Sequence, residues 1–313
     1  MVQQILVSFV SLFLLMEGAC AKLPIDPAFA GKNTNEPSDS VTYAIIGDYG
    51  QDSPKEEEVA QMVKGWNPAF IVTVGDNNYP LGSAGTIIDN VGKHYGDFIY
   101  NPDAPADRIC NGKAAQEQKN RFFPAPGNHD NYSVPALKPY LDYFTLPGDE
   151  RNYDFVWGPI HFFSLNTGKT GNVDTSVKDW LKNGLQQATE PFKIVFFHHP
   201  PYSPWPHGSA SDMQLPYANW GADAILAGHE HFYTRINEIA NNKPTYIIIG
   251  NSGNENLYNC SANPLDPNRF TISQCDNSHF GAIKVVATKT KMTFLYFTVD
   301  DLNTPKDVFE IIK

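Results

Sequence analysis

Ile71-Val72-Thr73-Val74-Gly75-Asp76-Asn77-Asn78-Tyr79-Pro80 begins as a β-branched run and stops abruptly at Gly-Asp. Such a run is the pattern of a short strand buried on both faces, as in a parallel sheet. The stop places the Asp76 carboxylate at the carboxyl end of that strand, where α/β sheets collect ligands. Tyr79 follows three residues later, close enough for its phenol to share a site with Asp76. The pair reads as a carboxylate between two metal ions and a phenolate on one of them.

On the N-terminal side, Val41 to Ile46 reads as a second buried strand, ending at Gly47-Asp48-Tyr49-Gly50. Ser53 and Glu56 form a capping box around Pro54. The helix they start carries Val59, Met62, Val63 and Trp66 on one face. Strand, helix and strand make a βαβ unit whose two strands are parallel neighbours. On the C-terminal side, residues 81–120 are rich in Gly, Asn and Asp and suggest a long surface excursion. Arg121 to Pro126 leads into Gly127-Asn128-His129-Asp130. Tyr153 to Trp157 and Ile160 to Leu165 read as a hairpin turning at Gly158-Pro159. An amphipathic helix is expected from about Thr175 to Ala188, burying Val177, Trp180, Leu181 and Leu185. The strand Lys193 to Phe197 ends at His198-His199-Pro200-Pro201, and the strand Ala222 to Leu226 at Gly228-His229-Glu230-His231. Three late strands, near 245–249, 281–287 and 291–299, have no helices between them and suggest a second, largely antiparallel layer. No repeat or interdomain linker interrupts residues 41–313, which read as one domain.

The chain has 313 residues and a formal net charge of −11. That acidity argues against a nucleic-acid backbone as main partner, though not against an anionic substrate held beside cations. Ile5 to Met16 is an apolar core too short to span a bilayer, and Ala19-Cys20-Ala21 fits a small-x-small cleavage site. Residues 1–21 therefore read as a secretory signal peptide, and the Pro-, Asn- and Ser-rich 22–40 as an extended lead-in. Cys260 and Cys275 bracket a loop suited to a disulfide in an oxidising compartment, leaving Cys110 unassigned. Asn131-Tyr132-Ser133 and Asn259-Cys260-Ser261 are glycosylation sequons.

Five times a strand stops and a metal-ligand type follows: Asp48; Asp76 with Tyr79; Asn128; His198; His229 with His231. Singly, Gly-Asp is a common turn and His-His-Pro-Pro suits a solvated surface. Five at successive strand ends are hard to attribute to turn chemistry. In His229-Glu230-His231, alternate residues of an extended segment would project to one side. Carboxylate and phenolate suit a trivalent iron, and imidazole and carboxamide oxygen suit divalent iron, zinc or manganese. One carboxylate can bridge two ions about 3.5–4 Å apart, the spacing of two-metal phosphatases.

These five motifs, Gly47-Asp48-Tyr49-Gly50, Gly75-Asp76-Asn77-Asn78-Tyr79, Gly127-Asn128-His129-Asp130, Val195-Phe196-Phe197-His198 and Gly228-His229-Glu230-His231, resemble those of the calcineurin-like metallophosphoesterases. Tyr79 makes the chain similar to the purple acid phosphatases, and the lack of a large N-terminal domain to their small, tartrate-resistant type. The resemblance implies a four-layer α/β sandwich (αββα) with two mixed β-sheets. It implies Fe(III) held by Asp48, Tyr79 and His231, a second divalent metal (Fe, Zn or Mn) held by Asn128, His198 and His229, and Asp76 bridging. It also implies a secreted or lysosomal acid phosphatase in which a metal-bound hydroxide attacks the phosphorus of a small phosphomonoester or a phosphoprotein, releasing inorganic phosphate. A phosphodiesterase or nucleotide hydrolase on the same metals, or a non-catalytic binding protein on this scaffold, are the alternatives. The expected form is a monomer without a membrane span.

His129, next to Asn128, is placed to contact a substrate oxygen or protonate the leaving group, with Asp130 orienting it. His207 matches a second pocket histidine of the small enzymes, but Pro206 stands where an acidic residue is expected. His199 would point away from an extended backbone, and His94, His161 and His279 fit structural or surface roles. Tyr202, Trp205, Tyr217 and Trp220 suit either a pocket mouth or core. Gly250 to Asn254 is similar to a family loop near the metals.

Overall fold

A computed structural model describes residues 39–103, 112–240 and 244–313. The signal peptide, almost all of the lead-in and Cys110 lie outside the described residues. Six strands form one mixed sheet: β1 (Val41–Ile46), β2 (Phe70–Thr73), β3 (Phe122–Pro124), β11 (Gly281–Ala287), β12 (Lys291–Thr298) and β13 (Asp307–Ile312), in the order β13-β12-β11-β1-β2-β3. Seven form the other: β4 (Tyr153–Trp157), β5 (Ile160–Ser164), β6 (Phe192–Phe196), β7 (Ala224–Ala227), β8 (Tyr233–Glu238), β9 (Thr245–Ile249) and β10 (Phe270–Asp276), in the order β10-β8-β9-β7-β6-β5-β4. β1, β2 and β3 run parallel, as do β5, β6, β7 and β9.

Alternation within strands separates the layers. Ile194 and Phe196 of β6 join the core shared with the first sheet, while Val195 and Phe197 join a second core with Leu181 and Leu185 of the helix Thr175–Gln187. Between the sheets lies an aromatic block. Phe70 of β2 meets Tyr43 at 4.8 Å, Trp157 at 4.7 Å, Phe162 at 5.5 Å and Phe123 at 5.9 Å between ring centroids. The expected helix runs Pro54–Gly65, with Ser53 Oγ accepting from the Glu56 N–H at 3.0 Å. Glu56 in turn accepts from the N–H groups of Gln51 and Asp52, tying down the turn that follows Asp48.

Two expectations are corrected. The late strands do not form a layer of their own. β9 enters the second sheet beside β7, and β11 pairs antiparallel with β1, carrying β12 and β13 into the first sheet. Without those pairings β1 would be an open edge, and an apolar strand is not left so. Nor does all of 81–120 run over the surface, since residues 87–98 pack inward. Ile87, Val91, Tyr95 and Phe98 are buried on one face of irregular helical turns spanning Ile88–Phe98. Their near-helical spacing is obscured by the Gly, Asn and Asp residues between them.

That segment is fastened by the buried His94, whose Nδ1 lies 2.7 Å from Glu57 and Nε2 3.0 Å from Asp52. The hydrogen bond from His94 holds the Glu57 carboxyl down at about 2, below its ordinary 4.5. A depressed carboxyl stabilises the fold above its unfolded pKa and loses that contribution as pH falls through the folded one. Hydrogen-exchange protection over residues 87–98 should therefore weaken as pH drops from about 4.5 towards 2. Glu57→Gln should flatten that dependence; an unchanged profile in the variant would rule the fastening out.

Candidate metal centre

Each ligand type follows the carboxyl end of a parallel strand, four from the first sheet and three from the second: Asp48 after β1, Asp76 and Tyr79 after β2 and Asn128 after β3; His198 after β6, and His229 and His231 after β7. The turns that aim them are strained. Asp48 and Asp76 have φ of 51°, and His229 has 70°. A left-handed conformation costs a non-glycine residue on the order of 1–3 kcal/mol and clusters at functional sites. Close packing leaves no room beside them. Gly75 has φ of 102°, and a Cβ there would strike the His198 ring; one on Gly228 would strike the Asp48 carboxylate.

The polar atoms form two tight groups. In one, the Tyr79 hydroxyl lies 3.3 Å from Asp48 Oδ1, 3.0 Å from Asp76 Oδ2 and 3.3 Å from His231 Nε2, with His231 Nε2 3.5 Å from Asp48 Oδ1. In the other, Asn128 Oδ1 lies 2.9 Å from His198 Nε2 and 3.0 Å from His229 Nδ1, the two ring nitrogens are 3.2 Å apart, and His198 Nε2 is 3.3 Å from Asp76 Oδ2. Asp76 Oδ2 belongs to both. A cation about 2.1 Å from each ligand sets neighbouring ligand atoms about 3.0–3.4 Å apart. The spacings fit two cations sharing one carboxylate oxygen. Asp48, Asp76 and His198 also form a group whose ligand atoms all lie within 4.8 Å.

Partners behind the ligands fix which atom faces the site. His198 Nδ1 is 2.9 Å from the Val74 carbonyl and His231 Nδ1 is 2.7 Å from the Asn256 carbonyl. A carbonyl only accepts, so Nδ1 carries the proton and Nε2 presents its lone pair inward. Burial disfavours charge on His198, but Asp76 and Asp48 outweigh it and hold the ring up at about 9. His229 is pushed down by burial and by His198 and His199. Burial and the Asp76 and Asp48 charges raise the Tyr79 phenol well above its ordinary value. A bound cation inverts that logic, since its own charge is the largest in such a site.

His129 Nδ1 lies 2.6 Å from the Pro80 carbonyl, which turns Nε2 towards Asp76 Oδ2 at 3.9 Å and sets the ring over Tyr79. Asp130 does not orient that ring. As the third residue of the helical turn Asn128–Asn131, it folds back to accept from the N–H of Gly127 at 2.8 Å and from Asn77 Nδ2 at 2.9 Å. Burial first, and then the Asp76 charge, push its carboxyl up to about 7. His207 reaches the mouth of the site beside His229, with ring centroids 5.2 Å apart. The approach for His229 and His231 also differs from the expected one: the segment turns at His229 instead of extending, which sends the two rings to different groups.

Of the other histidines, His199 stands behind His229, with Nδ1 2.8 Å from Thr167 Oγ1. Burial and the His198 charge hold it down at about 3. His161 bridges Asp154 and Glu190, and His279, in the turn between β10 and β11, sits beside Asp276. Trp205 stacks on Tyr258, and Tyr258 on His231, at the mouth; Tyr202, Tyr217 and Trp220 pack into the second core. Sequence reasoning passed over Asn77, which ties the turn after β2 to Ala125 and Asp130, and Tyr258. It noted Gly250–Asn254 only by likeness; there the Asn254 N–H donates to the Asp48 carbonyl at 2.9 Å. The expected disulfide joins Cys260 and Cys275, with Cα atoms 6.1 Å apart. At the Asn131 sequon the asparagine is buried and its amide donates to Gly127 and Asn166, whereas Asn259 is exposed. The whole site opens into a cleft of about 750 Å³ lined by Pro80, Asn90, Tyr132, His207, Asn256 and Tyr258 among others.

The sequence profile of calcineurin-like phosphoesterases matches residues 41–233. Purple acid phosphatase 23 of Arabidopsis thaliana is 26% identical over 243 residues, 67% of this chain and 52% of that protein. Purple acid phosphatase 15 of the same plant is 27% identical over 242 residues, 67% of this chain and 44% of that protein. The chain thus spans about half the length of these curated relatives. Among solved structures, purple acid phosphatase PPD1 from yellow lupin (Lupinus luteus) superposes with a TM-score of 0.64 at 16% identity, covering 88% of this chain and 54% of that one. GAP50, the anchor in the inner membrane complex of Plasmodium, gives 0.63 at 16% identity, covering 88% and 89%. At such identities the likeness shows the shared fold of two mixed sheets. With more than half its length under the family profile, this chain belongs to the calcineurin-like phosphoesterases.

Proposed function

We propose that this chain is a secreted or lysosomal acid phosphatase that hydrolyses phosphomonoesters at a binuclear metal centre, built on one catalytic domain from residue 41 to 313. The observation that carries the reading is the pair of ligand groups sharing Asp76 Oδ2. Asp48, Tyr79 and His231 would hold Fe(III), Asn128, His198 and His229 a divalent iron, zinc or manganese, and Asp76 both. When bound, the cations supply positive charge to the phosphoryl oxygens and lower the pKa of water. The chain's own residues do the rest. The carbonyls of Val74 and Asn256 keep two imidazoles in the ligating tautomer. His129, held by the Pro80 carbonyl, aims Nε2 into the cleft, where it can meet a phosphoryl or leaving-group oxygen. His207 lines the same cleft as a second donor. Asp130 and Asn77 hold the turns that carry Asp76 and Asn128.

Tyr79 favours this reading over a phosphodiesterase, because a phenol within 3.3 Å of Asp48, Asp76 and His231 suits a trivalent iron. Retention of all seven donors speaks against a non-catalytic scaffold. The disulfide agrees with an oxidising compartment. Among the described residues no helix is long and apolar enough to cross a membrane.

Metal analysis and a visible spectrum of the purified protein test the reading. Two metals per chain, one of them iron, and a broad visible band abolished by Tyr79→Phe are expected. A colourless wild-type protein with full activity would overturn the iron–phenolate assignment in favour of the diesterase-type enzyme.

A further inference from the structure

Glu230 stands between two ligands in sequence yet touches neither ligand group. Its side chain is fully buried beneath the mouth of the cleft. Oε1 accepts from Ser203 Oγ at 2.8 Å, and that hydroxyl accepts from the Trp205 N–H at 3.1 Å. Three residues on, the chain turns at Gly208, whose N–H returns to the Trp205 carbonyl at 2.9 Å. The loop bearing His207 is thereby anchored on Glu230.

The second oxygen is the informative one. Among the described residues no hydrogen-bond donor is aligned on Glu230 Oε2, a buried acceptor left open. His207 Nδ1 lies 3.2 Å from it. The His207 side chain is 46% exposed and packed loosely against His229 and Tyr258, so the ring has room to turn. Leaving a buried acceptor without its bond is costly, which favours the rotamer that makes it. Pro206, preceding His207, offers no side-chain acceptor of its own.

We propose that Glu230 is the positioning residue for His207: it takes the Nδ1 proton as a hydrogen bond at Oε2, fixing the ring so that Nε2–H faces the leaving-group oxygen in the cleft. The inference rests on the phosphatase reading and deepens it. As water adds to phosphorus and the ester P–O bond breaks, the departing oxygen takes the Nε2 proton, giving alcohol and phosphate. The ring regains a proton from solvent. Such help is needed by an alkyl ester, whose alkoxide is a poor leaving group, far more than by a nitrophenyl ester.

The test compares kcat on phosphoserine and on p-nitrophenyl phosphate, with metal content and circular dichroism measured on each variant. In Glu230→Leu and in His207→Ala, the loss on phosphoserine should exceed the loss on the aryl ester by about 100-fold, the lower end of the scale of general acid catalysis. Glu230→Gln, which keeps an acceptor for Nδ1, should restore the ratio to within about 5-fold of wild type. The double variant should be no worse than His207→Ala. Equal losses on both esters, or additive losses in the double variant, would overturn the assignment. Should Glu230→Leu fail to fold or to hold metal, Ser203→Ala decides: freeing Oε1 loosens the anchor, and an unchanged ester ratio counts against it. A wild-type protein inactive on both esters would instead remove the phosphatase reading, and this inference with it.

Discussion

Asp76→Asn should leave the protein folded but unable to retain its cations, with kcat/KM on aryl phosphates lowered at least ~10³-fold, about 4 kcal/mol of transition-state stabilisation. The expectation follows from one oxygen serving both ligand groups, 3.0 Å from the Tyr79 hydroxyl and 3.3 Å from His198 Nε2. Replacing any other donor weakens one group; replacing this one weakens both and removes a negative charge from between them. Asparagine is the informative substitution because it tolerates the φ of 51° that Asp76 adopts. The backbone is thus not strained further, and a folding defect is not confounded with a loss of charge. Metal analysis beside circular dichroism reads the result. A variant that keeps two metals and activity within tenfold would show that Asp76 does not bridge.

Phe70→Ala should cost about 3–5 kcal/mol of stability, the range for removing a large buried aromatic. Phe70 is fully buried and lies at the centre of the aromatic block between the sheets, stacked on Tyr43 and edge-on to Phe123, Phe155 and Phe162. Those partners belong to β1, β3, β4 and β5, so no single strand can close the void by shifting. Urea unfolding at constant m-value reads the loss. A change below about 1 kcal/mol would mean that the block repacks freely.

Much of this architecture is legible in the sequence, for a stated reason. Strands buried on both faces, such as β1, β2 and β6, are continuous apolar runs, and their ends are marked by Gly-Asp or His-His-Pro. Because the ligands sit at those ends, finding the strands finds the candidate site. What escapes is half-exposed or irregular. In β10 and β13 half or more of the residues are exposed and the composition is mixed, and β3 is three residues long and ends in proline. Burial of Val91 and Tyr95 depends on partners far away in the chain, which local periodicity does not encode. Within the site, the ligand types are readable, but their supports are not: Asn77 works through Ala125 and Asp130, and the His231 tautomer is set by a backbone carbonyl at Asn256. Glu230 reads as a spacer between two histidines until the loop carrying Ser203 folds over it.

The first strand and one of the last are partners: Val41 pairs with Ala287, and Ile45 with Ile283. A ribosome delivers β1 long before β11 exists, so the nascent chain must wait for its own far end before the first sheet can close. Pairings this distant in sequence make folding slow and leave strand edges bare meanwhile. The supports of the candidate site also emerge late, since the Asn254 N–H donates to the Asp48 carbonyl and the Asn256 carbonyl fixes His231.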